Sequence, residues 1–122
     1  MKHLESQEQE RVVQWLKFQY ANALFTVSVQ EHSANVGKRM RRLRMGYRAG
    51  TPDIAIYECR DNKHGLFVEM KAIKGGRLSD EQKTFLAELE KRGYATLVCH
   101  GFEEARKGIS AYMCKAITEI KP

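Results

Sequence analysis

The chain has no long hydrophobic run. No stretch of its 122 residues approaches the roughly 20 consecutive apolar residues that a membrane-spanning helix requires. The segment from Met1 to Glu10 is polar and lacks the charged-then-apolar pattern of a secretory signal. We therefore expect a soluble, cytoplasmic protein whose 43% hydrophobic content is enough for one modest core.

Cysteine and histidine are also scarce. The chain has three cysteines, an odd number, and no two of them stand at the close spacing of a metal knuckle. Reduced, partly buried thiols are the expected state. Three of the four histidines, His32, His64 and His100, have no partners at ligand spacing, so neither a zinc site nor a histidine general base is expected. The cysteines are Cys59, Cys99 and Cys114.

Acidic residues are missing from one segment, between residues 38 and 48. It contains six cations, which equal the whole net charge of +6, so the rest of the chain is neutral. Interspersed glycines and the mutual repulsion of like charges predict a mobile loop, over about residues 35–50, that binds nucleic-acid phosphates. A solvated surface run without a partner is the alternative. The cations are Lys38, Arg39, Arg41, Arg42, Arg44 and Arg48.

Hydrophobic periodicity predicts an alternation of helices and strands. The order helix, strand, strand, strand, helix, strand, helix predicts a mixed α/β sheet with helices packed on it, in one domain over residues 1–122. The second and third strands should pair as a hairpin, and the last strand follows a helical crossover. The predicted helices cover 5–22, 80–92 and 102–115, and the predicted strands cover 24–29, 53–59, 66–73 and 94–100.

The candidate chemistry lies on the two central strands. Residues two apart in a strand share a face, so Glu69 and Lys71 project together. Asp53, at the head of the preceding strand, lies near them if the hairpin register allows. Two carboxylates about 4 Å apart repel by roughly 4 kcal/mol at an effective dielectric of 20, and Mg²⁺ or Mn²⁺ would relieve that cost. A metal-activated water oriented by Lys71 would then attack phosphorus.

Spacing alone does not identify this site, because an acid followed two residues later by lysine occurs four times. Only the pair at 69 and 71 lies in an alternating apolar strand and follows a Pro-Asp strand start. An exposed ion pair worth about 0 to 1 kcal/mol is the structural alternative. The four pairs are Asp61/Lys63, Glu69/Lys71, Glu81/Lys83 and Glu119/Lys121.

Three motifs, taken in order, resemble the PD-(D/E)XK nuclease superfamily, and within it the VRR-NUC branch of virus-type replication-repair nucleases. They are Gly50-Thr51-Pro52-Asp53, Glu69-Met70-Lys71 and Leu78-Ser79-Asp80-Glu81-Gln82. Upstream, the helix that contains Glu5 and the Ala34-Asn35 approach to the basic segment are similar as well. The resemblance covers nearly the whole chain. It implies a restriction-endonuclease-like mixed sheet flanked by helices, in a minimal stand-alone form.

The resemblance also implies an activity: Mg²⁺- or Mn²⁺-dependent, structure-selective cleavage of branched or Holliday-junction DNA. Stand-alone members of this kind form homodimers similar to junction resolvases. The cellular setting implied is a bacterial or phage-infected cytoplasm. Carried over by residue, the implied metal ligands are Asp53, Glu69, the backbone carbonyl of Met70 and, often through a water, Glu5. The resemblance also implies that Lys71 positions the attacking water and that Gln82 orients Lys71.

Two of these assignments have competitors. Glu5 stands among other acids at a helix start, where acids favour the helix dipole without catalysis, and Glu8 is one turn further along the same helix. Gln82 completes an S-x-x-Q capping box with Ser79, yet it also lies on the buried stripe of its helix. For the whole chain, the main alternative to a nuclease is a non-catalytic nucleic-acid-binding module.

Overall fold

The computed structural model describes residues 2–28 and 35–119, and these residues adopt a mixed α/β fold. The predicted fold class is confirmed, and no helix within these residues is long and apolar enough to cross a membrane. In chain order the elements are α1 Lys2–Gln19, β1 Phe25–Val27, α2 Val36–Arg44, β2 Ile54–Ile56, β3 Leu66–Lys71, α3 Asp80–Lys91, β4 Ala95–His100 and α4 Phe102–Met113.

The four strands form one sheet in the order β1-β2-β3-β4. The pairs β1/β2 and β2/β3 are antiparallel, the second as expected for strands joined by a short connection, and β3/β4 is parallel. The parallel pair requires a crossover, which α3 supplies. The predicted hairpin and the predicted helical crossover are therefore both confirmed.

Strand β3 divides its side chains between two faces. Leu66, Val68 and Met70 are buried in a cluster with Val12 and Leu16 of α1 and with residues of α4. Because side chains alternate along a strand, Phe67, Glu69 and Lys71 lie on the opposite face. The apolar alternation thus positions the acid and the lysine away from the main core.

The basic segment differs from its prediction as a loop: Val36–Arg44 is a helix. Asn35 caps its first turn by accepting a hydrogen bond from the Lys38 backbone N–H at 3.1 Å. Arginine and lysine are good helix formers, and like charges one turn apart cost only a few tenths of a kcal/mol on a solvated helix. Helix propensity and the cap therefore outweigh the repulsion, and the element order has one more helix than predicted. Ala34 lies outside the described residues.

Candidate active site

The register of the β2–β3 hairpin brings Asp53 to Glu69. The last paired residues are Ile54 and Val68, and one further step along both strands places Asp53 opposite Glu69. Asp53 Oδ2 accepts a hydrogen bond from the Met70 N–H at 2.7 Å, where strand β2 no longer supplies a carbonyl. The aspartate therefore completes the end of the ladder and is held against β3.

Glu69 is a buried carboxylate with only 2% of its surface exposed. Its Oε1 accepts a hydrogen bond from Gln82 Nε2 at 2.6 Å and lies 3.8 Å from Lys71 Nζ. Its Oε2 is buried and receives no hydrogen bond from any described residue. Since a buried carboxylate oxygen without a donor is costly, this atom requires a bound cation or a proton shared with the neighbouring carboxyl of Asp53.

Gln82 makes both a capping contact and a contact with a candidate site residue. Its Oε1 accepts from the Ser79 N–H at 2.9 Å, and Ser79 Oγ accepts from the Gln82 N–H at 3.1 Å, which completes the capping box at the start of α3. Because the amide oxygen is held by the cap, the amide nitrogen faces Glu69. The resemblance implied that Gln82 orients Lys71, whereas its direct contact is with Glu69, the acid that Lys71 approaches.

The two candidate acids of α1, Glu5 and Glu8, have different surroundings in the structure. Glu8 Oε1 accepts from the Phe102 N–H at 3.2 Å, at the start of α4, and Glu8 Oε2 pairs with Arg11 at 3.1 Å. The N-cap residue of α4 is Gly101, which has no side chain to cap the helix, so Glu8 supplies the cap. Glu5 instead lines the same cleft as Asp53 and Glu69.

The cleft has a volume of about 680 Å³ and lies between α1, the end of β1 and the candidate residues. All five predicted catalytic side chains line it. Sequence reasoning missed the polar wall that α1 contributes, although the spacing of three and four residues along that helix could have revealed it. The predicted catalytic residues are Glu5, Asp53, Glu69, Lys71 and Gln82, and the missed wall residues are Gln9, Glu10, Gln14 and Lys17.

Burial raises the pKa values of two acids of the site. Burial, and secondarily the charge of Asp53, raises the pKa of Glu69 to about 8. The pKa of Asp53 is also raised, mainly by burial, although the hydrogen bond from the Met70 N–H opposes this. Two neighbouring carboxyl groups with raised pKa values do not both ionise readily at neutral pH. A bound cation would allow both to carry charge.

The donor set fits a hydrated magnesium or manganese ion. Within residues 2–28 and 35–119, no three His, Cys, Asp or Glu side chains form a group that could hold a metal by themselves. Mg²⁺ retains several waters and needs only one or two carboxylates, which Asp53 and Glu69 provide. The Glu69 Oε2 atom, which no described residue contacts by a hydrogen bond, is a further oxygen acceptor for such an ion. A closed cage of the zinc type is not present in this part of the chain.

Comparison with known proteins identifies the family of the chain. The model of the VRR-NUC domain family matches residues 1–103. The chain belongs to the VRR-NUC family. A solved structure described as a VRR_NUC domain protein is 26% identical, with a TM-score of 0.80, and the match covers 95% of this chain and 93% of that one. No curated protein sequence matches the chain significantly.

VRR-NUC domains are generally nucleases, so the family assigns this chain to the nuclease class. Of the six cations predicted to bind nucleic acid, five lie on α2 and are exposed or partly exposed. Arg48 follows the helix, and its guanidinium lies 5.6 Å from the centre of the Phe85 ring. Arg48 thus also joins the basic segment to α3 by a cation–π contact. The five on α2 are Lys38, Arg39, Arg41, Arg42 and Arg44.

Proposed function

We propose that this VRR-NUC protein is a divalent-metal-dependent endonuclease that hydrolyses phosphodiester bonds in DNA. The observation that carries the proposal is the pairing of part-buried Asp53 with buried Glu69 beside Lys71 in an open cleft, where one Glu69 oxygen has no donor among the described residues. A purely structural ion pair would not need to sit at the base of a cleft or leave an acceptor unsatisfied.

Each residue has a distinct task. Asp53 and Glu69 would hold Mg²⁺ or Mn²⁺, together with the backbone carbonyl of Met70. When bound, the metal supplies Lewis-acid polarisation of the phosphate and a more acidic water. The Lys71 ammonium orients the attacking water and neutralises developing negative charge on the phosphate. Gln82 fixes the rotamer of Glu69, and Glu5 acts from the α1 wall through a water.

Branched or Holliday-junction DNA is the proposed substrate, and a homodimer is the proposed acting form. A junction has two strands to cut at its centre, and the described part of one chain carries one candidate site. Two copies related by a two-fold axis would supply two sites. The proposed setting is the cytoplasm of a bacterial or phage-infected cell.

A cleavage panel tests this function directly. Linear, flap, splayed and four-way junction DNA are incubated with the protein and Mg²⁺ or Mn²⁺, and its mass in solution is measured under the same conditions. Metal-dependent cutting that favours branched forms, by a protein of dimeric mass, is the expected result. Binding to all forms without cutting, with either metal, would instead establish the non-catalytic nucleic-acid-binding module.

Helix α2 should carry much of the electrostatic part of DNA binding. Replacing Arg39, Arg41 and Arg42 by glutamine is expected to weaken binding and to flatten its dependence on salt by roughly three units of log–log slope, because each phosphate contact releases condensed counterions. Fluorescence anisotropy across a salt series, in Ca²⁺, measures the slope. The matched control replaces Arg92, which pairs with Glu88 on α3, and should leave the slope unaltered.

A further inference from the structure

Helix α2 has an exposed apolar stripe. Val36, Met40 and Leu43 are spaced by four and three residues, so they lie along one line of the helix. They are 60%, 48% and 50% exposed. None of the residues of the helix is buried, and no other described helix or strand packs extensively against it. A helix with this pattern normally buries its stripe, so the stripe marks a surface for a partner.

Cations border the stripe on both sides. Arg39 lies one turn from Val36 and from Leu43, and Arg44 lies one turn from Met40. The remaining cations occupy the opposite side of the helix. Across the part of the chain that the structure describes, none of the five forms an ion pair with an acid. Any surface that covers the stripe must therefore also accept these charges.

The helix is attached close to the candidate active site. Gly50 packs on the first turn of α3 so closely that a Cβ atom there would lie 2.5 Å from the Glu81 carbonyl oxygen, and its φ of +87° favours glycine. The next residue of α3 is Gln82, whose side chain reaches Glu69. The chain between the end of α2 and Asp53 is thus packed against the start of α3, so a short, fixed segment joins α2 to the elements that carry the candidate site.

We propose that the stripe of Val36, Met40 and Leu43 contacts unstacked bases at a DNA branch point, while the neighbouring arginines bind the flanking phosphates. This inference rests on the proposed function and specifies how the substrate is selected. Branched DNA presents anionic phosphates and apolar base faces side by side, and apolar side chains inserted at base steps are a known means of contacting distorted DNA. A second copy of α2 would instead bring Arg39 and Arg44 against like charges.

The test changes the stripe and leaves every charge in place. Met40→Gln with Leu43→Gln retains helix-forming residues, and circular dichroism checks that the fold is kept. Binding is measured in Ca²⁺ to a four-way junction with 2-aminopurine at the branch and to a linear duplex of equal length. The double variant should bind the junction roughly tenfold more weakly, with a smaller 2-aminopurine signal, and the duplex with unaltered affinity.

The charge control is the double variant Arg41→Gln with Arg42→Gln. It should weaken binding to the junction and to the duplex alike, because these side chains lie away from the stripe. Equal affinities of the Met40/Leu43 variant and the wild type for the junction would overturn the inference. The inference would also be overturned if the Met40/Leu43 variant lost a dimer that the wild type forms in sedimentation, because the stripe would then bind a second copy. Loss of binding to phosphatidylserine vesicles by the variant would overturn it too, because the stripe would then bind a membrane surface.

The two levels of the proposal fail separately. If the wild type binds junctions selectively through the stripe but cuts none with Mg²⁺ or Mn²⁺, the nuclease proposal fails and the stripe inference stands. If the wild type cuts junctions and the Met40/Leu43 variant retains the same junction preference, the nuclease proposal stands and the stripe inference fails.

Discussion

Replacing Lys71 with alanine or Asp53 with asparagine is expected to abolish DNA cleavage while DNA binding in Ca²⁺ survives. Lys71 Nζ lies 3.8 Å from Glu69 Oε1, where an ammonium can also reach a phosphate or its attacking water. Loss of one such stabilising group lowers turnover by roughly 100- to 1000-fold. Asp53→Asn keeps an oxygen to accept from the Met70 N–H but removes the charge that a cation needs.

The chain supplies its own matched control for this experiment. Asp61 and Lys63 have the same acid-x-lysine spacing but lie in an exposed turn. The Lys63→Ala variant should therefore cut DNA at the wild-type rate. Cleavage is followed on a labelled four-way junction under single-turnover conditions, and thermal melting verifies folding. Full cleavage by both the Lys71 and the Asp53 variants would refute the assignment of the site.

The metal-free protein is expected to lose stability as the pH rises from about 5 to about 8. Glu69 has a folded pKa of about 8 against an ordinary value of 4.5. Between these values the folded state holds a proton that the unfolded state releases, so the free energy of unfolding falls with increasing pH. The loss is on the order of a few kcal/mol, and the raised pKa of Asp53 acts in the same direction.

Thermal unfolding in EDTA across this pH range measures the effect. Glu69→Gln should flatten the dependence, because glutamine does not titrate and its carbonyl can still accept from Gln82. Mg²⁺ or Mn²⁺ should restore stability mainly at the higher pH, where the acids are ionised and can bind a cation. A wild-type stability that is constant or rising between pH 5 and pH 8 would show that Glu69 is not held protonated by burial.

Several features of the candidate site were predictable because they depend on near neighbours in the chain. Alternation along β3 places Glu69 and Lys71 on one face, and the Ser79-x-x-Gln82 spacing specifies a capping box. Both are local geometric relations. The helix at residues 36–44 differs from the loop that its charge predicts, because the helix propensity of arginine and the cap from Asn35 outweigh the repulsion between exposed like charges.

The amino-acid sequence by itself determined the mixed α/β class, the acid–lysine pair on β3 and the cap at the start of α3, since each follows from periods of two to four residues. Only the tertiary structure decided what depends on residues distant along the chain. The hairpin register brought Asp53 next to Glu69. At the start of α4, where Gly101 has no side chain, the Phe102 N–H donates to Glu8, while Glu5 lines the cleft. Burial raised the pKa of Glu69, because desolvation depends on the packing around the carboxylate and not on its neighbours in sequence.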